Sequence, residues 1–417
     1  MSRIAVIGSG IAGLSSAWLL SRDHEVWVFE KEDRIGGHTH TVTVATPDGP
    51  VPVDTGFIVH NRVNYPNFIR LMDELNVATC ASDMSFAASG NAYPWSSRGL
   101  NGVFAKRRHL VDPAFYGLWL EVIRFNRTAR ALLNESDGEG PTLGDYLAHH
   151  GFSERFKTEY LYPMAGAVWS TTLGDMAAFP AATLARFFHN HGFLGLTTHH
   201  PWRTVPGGTS RYLEPLTRPY RNQIVTEARI ISLRRSKAGV HLHLEGQEAR
   251  LFDQVVLACH GDQVSSLLAD PSPEEREVFG AFTTNQTPTV LHRDSSLLPT
   301  QRRGWASWNF RAHGDSGRLV LSYHMNRLQP LPTRQDWFVS LHAEDLLDPE
   351  AIAGRYHYEH PRYTREAVRA QARWAEVSGR ASVQGRTHYA GAYWGYGFHE
   401  DGLNSGIRVA RDLGVTW

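Results

Sequence analysis

The chain opens on a wholly apolar run, Ile4 to Ile7, passes through glycines, and then places Leu14, Ala17, Trp18 and Leu20 at helical spacing. A second buried-strand pattern follows from Glu25 to Phe29. Apolar runs without polar alternation fit strands covered on both faces, and the strand–helix–strand order predicts a parallel pair joined by a crossover helix. A third such run, Val255 to Cys259, stands far downstream and ends, through Ala258 and Cys259, near a ligand crevice, as parallel strands in α/β sheets do. Near the C-terminus an apolar start leads into a glycine- and aromatic-rich turn and then a helix from about Gly402, with Asp401 as its N-cap. Small residues at Gly402, Ser405, Gly406 and Ala410 predict that this helix lets another surface come close.

The intervening segments read differently. "PAFYGLWLEVIRFNRTARALL" puts Phe115, Leu118, Trp119, Val122, Ile123 and Phe125 on a mostly apolar helix, a cavity-wall composition. "TLGDYLAHHGFSERFKTEYLYPM" predicts two short helices broken at Gly151. Strands are expected around Thr289–His292, Arg318–Tyr323 and Trp337–His342, and "IVTEARIISLRR" is strand-rich. Pro206 to Gly208 lead into another helix. Together these patterns predict an α/β chain with a parallel sheet and an α+β insertion.

Charge narrows the function classes. The 42 Lys plus Arg balance 42 Asp plus Glu, which argues against a nucleic-acid protein held by bulk electrostatics. With only Cys80 and Cys259, there is neither a disulfide framework nor a cysteine-based zinc site. Cys259 reads as a small buried hydrophobe. No apolar stretch approaches the length of a membrane-spanning helix, and no long signal core follows the first residues, so a cytoplasmic location is expected.

The chemistry begins in the first turn. Gly8, Gly10 and Gly13 of "GSGIAG" hold the three positions of a dinucleotide fingerprint between a strand and a helix. The amides of Ile11, Ala12 and Gly13, at the positive end of the helix dipole, favour phosphate. Glu30, at the end of the second strand and 22 residues beyond Gly8, stands where a carboxylate accepts hydrogen bonds from ribose hydroxyls. Lys31 and Arg34 follow, and then the glycine pair Gly36 and Gly37. Arg34 either offsets a pyrophosphate charge or is a solvated surface cation.

This second glycine pair resembles flavoproteins related to amine oxidases, phytoene desaturases and protoporphyrinogen oxidase. The resemblance implies a Rossmann-like FAD domain with an inserted substrate domain. It assigns roughly 1–78, 205–270 and 383–417 to the FAD side, and 79–204 and 271–382 to the substrate side. It also implies that the segment Asp54, Thr55, Gly56, Phe57 passes the flavin end, although Asp54 is equally suited to cap a turn. The backbone around Ile230 would meet the adenine edge. The region Asp401, Gly402, Leu403 would aim a helix N-terminus at the flavin's pyrimidine oxygen. "GFIVHNRVNYPNF", "SDMSF", "LYPMAGAVWST" and "GAYWGYGFHEDG" are similar to one subfamily found beside, or fused to, cyclopropane fatty-acyl synthases. The expectation is one FAD, an apolar or lipid substrate, a possible methyltransferase partner related to those synthases, no nucleic acid, and at most peripheral contact with the inner membrane face.

For catalysis, hydride removal from carbon needs positioning and water exclusion more than an acid or base. Tyr396, Phe398, His399 and Glu400 are the candidates beside the flavin. His399 and Glu400 are open to proton transfer or to structural hydrogen bonding. Tyr93, Trp95, Tyr162 and Trp169 are wall candidates. The 22 histidines include several close pairs, such as His38/His40, His149/His150 and His199/His200, but no metal-ligand motif, so no metal is expected. No GxSxG elbow anchors a hydrolase triad. The four lysines, Lys31, Lys106, Lys157 and Lys237, supply no obvious partner for the lysine many amine oxidases keep by the flavin. The activities in view are FAD-dependent oxidation of a fatty-acyl carbon, double-bond isomerisation, amine oxidation, and a non-catalytic flavoprotein subunit. "AKRRH" is a basic cluster, either solvated or in weak contact with anionic headgroups, and too short to anchor the chain alone.

Overall fold

The computed structural model of the 417-residue chain describes residues 1–89, 94–135, 140–169, 173–195, 200–313 and 318–417. Five parallel strands form the sheet that carries the glycine turn. Along the chain they are β1 (Arg3–Ile7), β2 (Glu25–Phe29), β3 (Ile224–Val225), β4 (Gln254–Leu257) and β5 (Thr387–Tyr389), standing in the order β3-β2-β1-β4-β5. Ile4, Val6, Val255 and Val256 are buried, as the unbroken apolar runs require. The third run is shorter than expected: β4 ends at Leu257, and Ala258 and Cys259 already belong to the following turn.

Three helices position the site: α1 (Ile11–Leu20), α2 (Pro66–Glu74) and α3 (His399–Asp412). α1 is buried along its whole length. α3 crosses it on the small-residue stripe: a Cβ at Gly402 would come within 2.7 Å of Ile11 Cγ2, and one at Gly406 within 2.8 Å of the Ala12 carbonyl oxygen. The helix start differs from expectation. α3 begins at His399, Phe398 is its N-cap, and Asp401 is the third helical residue. Asp401 Oδ2 accepts the Phe398 amide at 2.9 Å, so it satisfies the helix end by reaching back from inside the first turn.

A second sheet has seven strands in the order Ile352–Pro361, Thr284–His292, Phe338–Leu341, Arg318–His324, Trp308–His313, Phe86–Ser89, Trp95–Ser96. It is antiparallel except where Trp308–His313 runs parallel to Phe86–Ser89. The three strands expected from the sequence lie in it. Its core includes Phe86, Phe310 and Leu341 and is shared with helical segments that contribute Phe125, Phe156 and Phe188. The expected apolar helix is Pro113–Thr128, continued by a tighter turn over Ala129–Asn134. Ile123, expected in the wall, is exposed, and Trp119 is only partly buried. Gly151 breaks the next helical stretch with φ +63°.

A three-stranded meander, Ile230–Ser236, Gly239–Leu244 and Arg250–Phe252, lies beside the parallel sheet. Its Arg235 is buried and pairs with Glu275 at 2.5 Å, and the Tyr389 hydroxyl donates to the same carboxylate at 2.6 Å. Removing one partner of such a pair leaves a buried charge and costs about 3–5 kcal/mol.

Candidate functional site

The turn after β1 is shaped by missing side chains. Gly8 adopts φ +103°, and a Cβ there would sit 2.7 Å from the Ala258 carbonyl oxygen. A Cβ at Gly13 would overlap the Gly8 carbonyl oxygen and stand 3.2 Å from Ala258 Cβ. Ala258 therefore seats against both glycines and fixes α1 close to the sheet. Gly10 is different: a Cβ there would meet nothing within 4 Å, and across from it Gly37 brings its backbone to its Cα. α1 carries no side-chain cap and no acidic residue in its first turn, so the amides of Ile11, Ala12 and Gly13 present an unneutralised positive helix end.

The second loop closes on this turn. Glu30 Oε2 accepts the Ser9 amide at 2.9 Å and the Ser9 hydroxyl at 2.6 Å, and its Oε1 accepts the Glu32 amide at 3.0 Å. The Gly36 amide donates to the Ser9 carbonyl at 2.9 Å. Arg34 Nη1 donates to the Gly37 carbonyl at 2.8 Å, so this half-buried cation ties down the glycine pair. Lys31 is exposed beside Glu32. The Glu227 and Ala228 amides donate to the carbonyls of Glu32 and Glu30, and Ile230 follows at the start of the meander. His38 Nε2 is buried and has no hydrogen-bond partner, with the rings of Tyr358, His360 and His260 around it at 5.1, 5.1 and 6.4 Å. Burial holds this imidazole well below its ordinary pKa.

Asp54 is buried and its carboxylate is hydrogen-bonded to three other parts of the chain. Its carboxylate accepts the Thr41 hydroxyl at 2.5 Å, the Thr209 amide at 3.0 Å and the Gln329 amide at 2.7 Å, which pins the loop after Gly208. Burial pushes its pKa up to about 7. The Thr55 hydroxyl lies 2.6 Å from the Tyr358 hydroxyl. A Cβ at Gly56 would overlap the His38 carbonyl, which accepts the Phe57 amide at 2.7 Å. The Phe57 ring then stacks on His399 at 3.7 Å, tilted by only 2°.

His399 and Glu400 are both engaged in structural bonds. His399 Nε2 lies 2.7 Å from the Tyr212 hydroxyl, which is 2.5 Å from Thr39 Oγ1. Burial drives the imidazole pKa down to about 3, so it is neutral at ordinary pH. Glu400 accepts the Asn67 and Phe68 amides at 2.9 and 2.8 Å, capping α2 where its own Tyr65 N-cap offers no side-chain bond. Burial raises Asp401 to about 7, and Leu403 is in the core. Phe398 lies parallel to Phe187 at 5.2 Å and 16°; the His191 ring is 5.7 Å from Phe398, and Tyr396 is 6.5 Å from Phe187.

Trp95 stacks on Tyr160 at 5.4 Å, and with Tyr162 it belongs to the helical core. Tyr93 and His199 lie outside the described residues, as does the side chain of Trp169. Among the described residues, no group of three or more His, Cys, Asp or Glu side chains is arranged to hold a metal ion. Burial pushes Cys259 up to about 12, far from a reactive thiolate. The sequence patterns do not point to Thr39 or Tyr212, nor to His38, whose place directly after Gly37 was the available signal.

An open face at Gly10, an uncapped helix end, a carboxylate at Glu30 and a buried ring nitrogen without a partner fit the diphosphate and ribose of a dinucleotide. Comparison with known proteins agrees. The family described as flavin containing amine oxidoreductase matches residues 11–292. The chain is 28% identical over 295 residues to the carotenoid phi-ring synthase of Streptomyces griseus, a match covering 65% of this chain and 54% of that protein. It thus spans about half the length of the curated relative it matches. Among solved structures it is similar to cyclohexylamine oxidase from Brevibacterium oxydans IH-35A, with 15% identity, TM-score 0.69 and 99% of each chain covered. It is also similar to a CLA-producing fatty acid isomerase from P. acnes, with 17% identity, TM-score 0.68 and 98% of each chain covered. The protein belongs to the flavin containing amine oxidoreductase family of FAD-dependent oxidoreductases, and its cofactor is FAD.

Proposed function

We propose that this chain removes hydride from a carbon of an apolar, lipid-class substrate, with residues 1–78, 205–270 and 383–417 serving the cofactor and 79–204 and 271–382 the substrate. The observation that carries this reading is the uncharged aromatic wall at the N-terminus of α3. Phe398, Phe187 and His191 pack there, and burial holds His191 down to about 4 and therefore neutral. A cationic amine would call for a buried counter-charge, whereas Glu400 is already committed to α2 and Asp401 to Phe398. None of the four lysines lies at this wall: Lys31 and Lys157 pair with neighbouring glutamates, and Lys106 and Lys237 are exposed. The names of the carotenoid phi-ring synthase and the fatty acid isomerase agree with an apolar substrate.

When bound, FAD supplies the two-electron acceptor. The chain supplies position and dryness: Phe398, backed by the buried Phe187, holds an apolar substrate and keeps water from it. Thr39, Tyr212 and Phe57 clamp His399, which orients the first turn of α3 and moves no proton.

Anaerobic mixing with fatty-acyl, polyene and amine panels tests the reading. Bleaching of the flavin by an apolar substrate, with the amines inert, is the expected result. Bleaching by amines alone overturns it, and product formation without acceptor consumption replaces it with isomerisation.

A further inference from the structure

Ten large apolar side chains are exposed among the described residues, and six of them fall between positions 100 and 123: Leu100, Leu110, Val111, Tyr116, Leu120 and Ile123. Three of these are strongly exposed, Leu100 at 78%, Val111 at 85% and Leu120 at 67%. Scattered exposed apolar residues need no explanation, but a cluster does.

The local structure joins them into one surface. The helix Pro113–Thr128 buries Phe115, Leu118, Val122 and Phe125 and leaves Tyr116, Leu120 and Ile123 on its outer side at i, i+4 and i+7. The Tyr116 hydroxyl donates to the Leu110 carbonyl at 2.9 Å. Phe104 lies 6.3 Å from the Tyr116 ring, and its amide closes the turn on the Leu100 carbonyl at 2.9 Å. Arg107 Nη2 donates to Asn101 Oδ1 at 2.9 Å, fastening the short helix Gly99–Val103 to the same face.

The rim is basic. Residues 98–130 carry seven Lys and Arg against two carboxylates, in a chain with no net charge. Both carboxylates are occupied: Asp112 caps the helix through the Ala114 amide, and Glu121 binds Ser153 and Arg124. Lys106, Arg107, Arg108 and Arg127 are exposed around the apolar residues, and Arg303, which donates to the Ala105 carbonyl at 3.2 Å, extends the rim.

We infer that this surface docks on an anionic phospholipid bilayer. Leu100, Val111, Leu120 and Ile123 enter the headgroup–acyl boundary, and the surrounding cations meet lipid phosphates. A basic cluster alone binds weakly, and apolar insertion adds the second signal that stable attachment needs. No helix among the described residues is long and apolar enough to cross a membrane, so this contact is interfacial.

The test is vesicle flotation of the FAD-loaded protein, using phosphatidylcholine with or without phosphatidylglycerol. The expected result is about tenfold more protein floating with the anionic vesicles, lost at high salt. Leu120→Gln with Ile123→Gln, and separately Lys106→Glu with Arg107→Glu and Arg108→Glu, should each lower binding about tenfold, with flavin content and melting temperature unchanged. Absence of flotation, or variants that float like the wild type, overturns the proposal. So does a solution dimer that the Leu120→Gln, Ile123→Gln variant converts to monomer, since that would assign the face to a second copy.

Discussion

Around Gly10 the protein removes side chains, and around Phe398 it stacks them. The first region gains its shape from close approach of backbone: Gly8 against the Ala258 carbonyl, Gly13 against Gly8, Gly37 against Gly10, Gly402 against the Ile11 side chain and Gly406 against the Ala12 carbonyl. The second gains its shape from rings, with Phe398 on Phe187 and Phe57 on His399. Where such a glycine packs against protein, at Gly8, Gly13 and Gly406, a side chain has no room, which suits a cofactor that never changes. Ring contacts of the second kind tolerate exchange of one apolar group for another, which suits a surface that defines a substrate. The two regions meet where Gly402 touches Ile11, so that the N-termini of α1 and α3 lie side by side.

Gly13→Ala should break this contrast most severely. Its Cβ overlaps the Gly8 carbonyl, and overpacking against backbone costs about 3 kcal/mol or more, so the variant should melt much earlier and purify without flavin. A normal melting temperature would mean the glycine packing is wrong. Phe398→Ala should spare the cofactor and lower turnover of the apolar substrate about tenfold to a hundredfold, read in steady-state kinetics. Unchanged kinetics would remove Phe398 from the substrate wall.

Glu400→Gln separates a structural carboxylate from a chemical one. It keeps an acceptor for α2 but loses the charge at that helix's N-terminus, for a cost of about 1 kcal/mol in thermal unfolding. The pH profile of turnover should not move, and a profile shifted by this variant would return Glu400 to proton transfer.

A final effect, silent at neutral pH, is on acid stability. His399 is held near 3, and His60, His191 and His360 near 4, all below the ordinary imidazole value. The unfolded chain binds these protons first, so their contribution is full above about pH 6.5 and is lost as pH falls toward 3. Asp54 and Asp401, raised to about 7, act in the opposite sense and lose stability as pH rises from about 4 to 7. Melting temperature followed against pH should decline less steeply on the acid side in His399→Gln than in the wild type.

What the amino-acid order reveals follows the same division. The spacing of Gly8, Gly10 and Gly13 and the stripe Gly402, Ser405, Gly406, Ala410 are local patterns with one steric meaning, and close approach of backbone is legible in them directly. The start of α3 is not, because an acid that reaches back from the third helical position looks like an N-cap, while Phe398 resembles no cap at all. Ile123 reads as a wall residue because an apolar residue carries the same letter on either side of a helix. The chain from Thr39 through Tyr212 to His399 joins residues 173 and 187 positions apart, and no short-range pattern encodes it.

Titration of the flavin-free protein with FAD, wild type against Gly10→Ala, tests whether the open space beside Gly10 receives the FAD diphosphate. A Cβ at this position meets no protein atom within 4 Å, so the apo variant should melt with the wild type. One FAD should bind per wild-type chain, with affinity at least about tenfold weaker in Gly10→Ala, because the added methyl would stand where the phosphates approach the backbone. Equal affinity in the two proteins would contradict that placement.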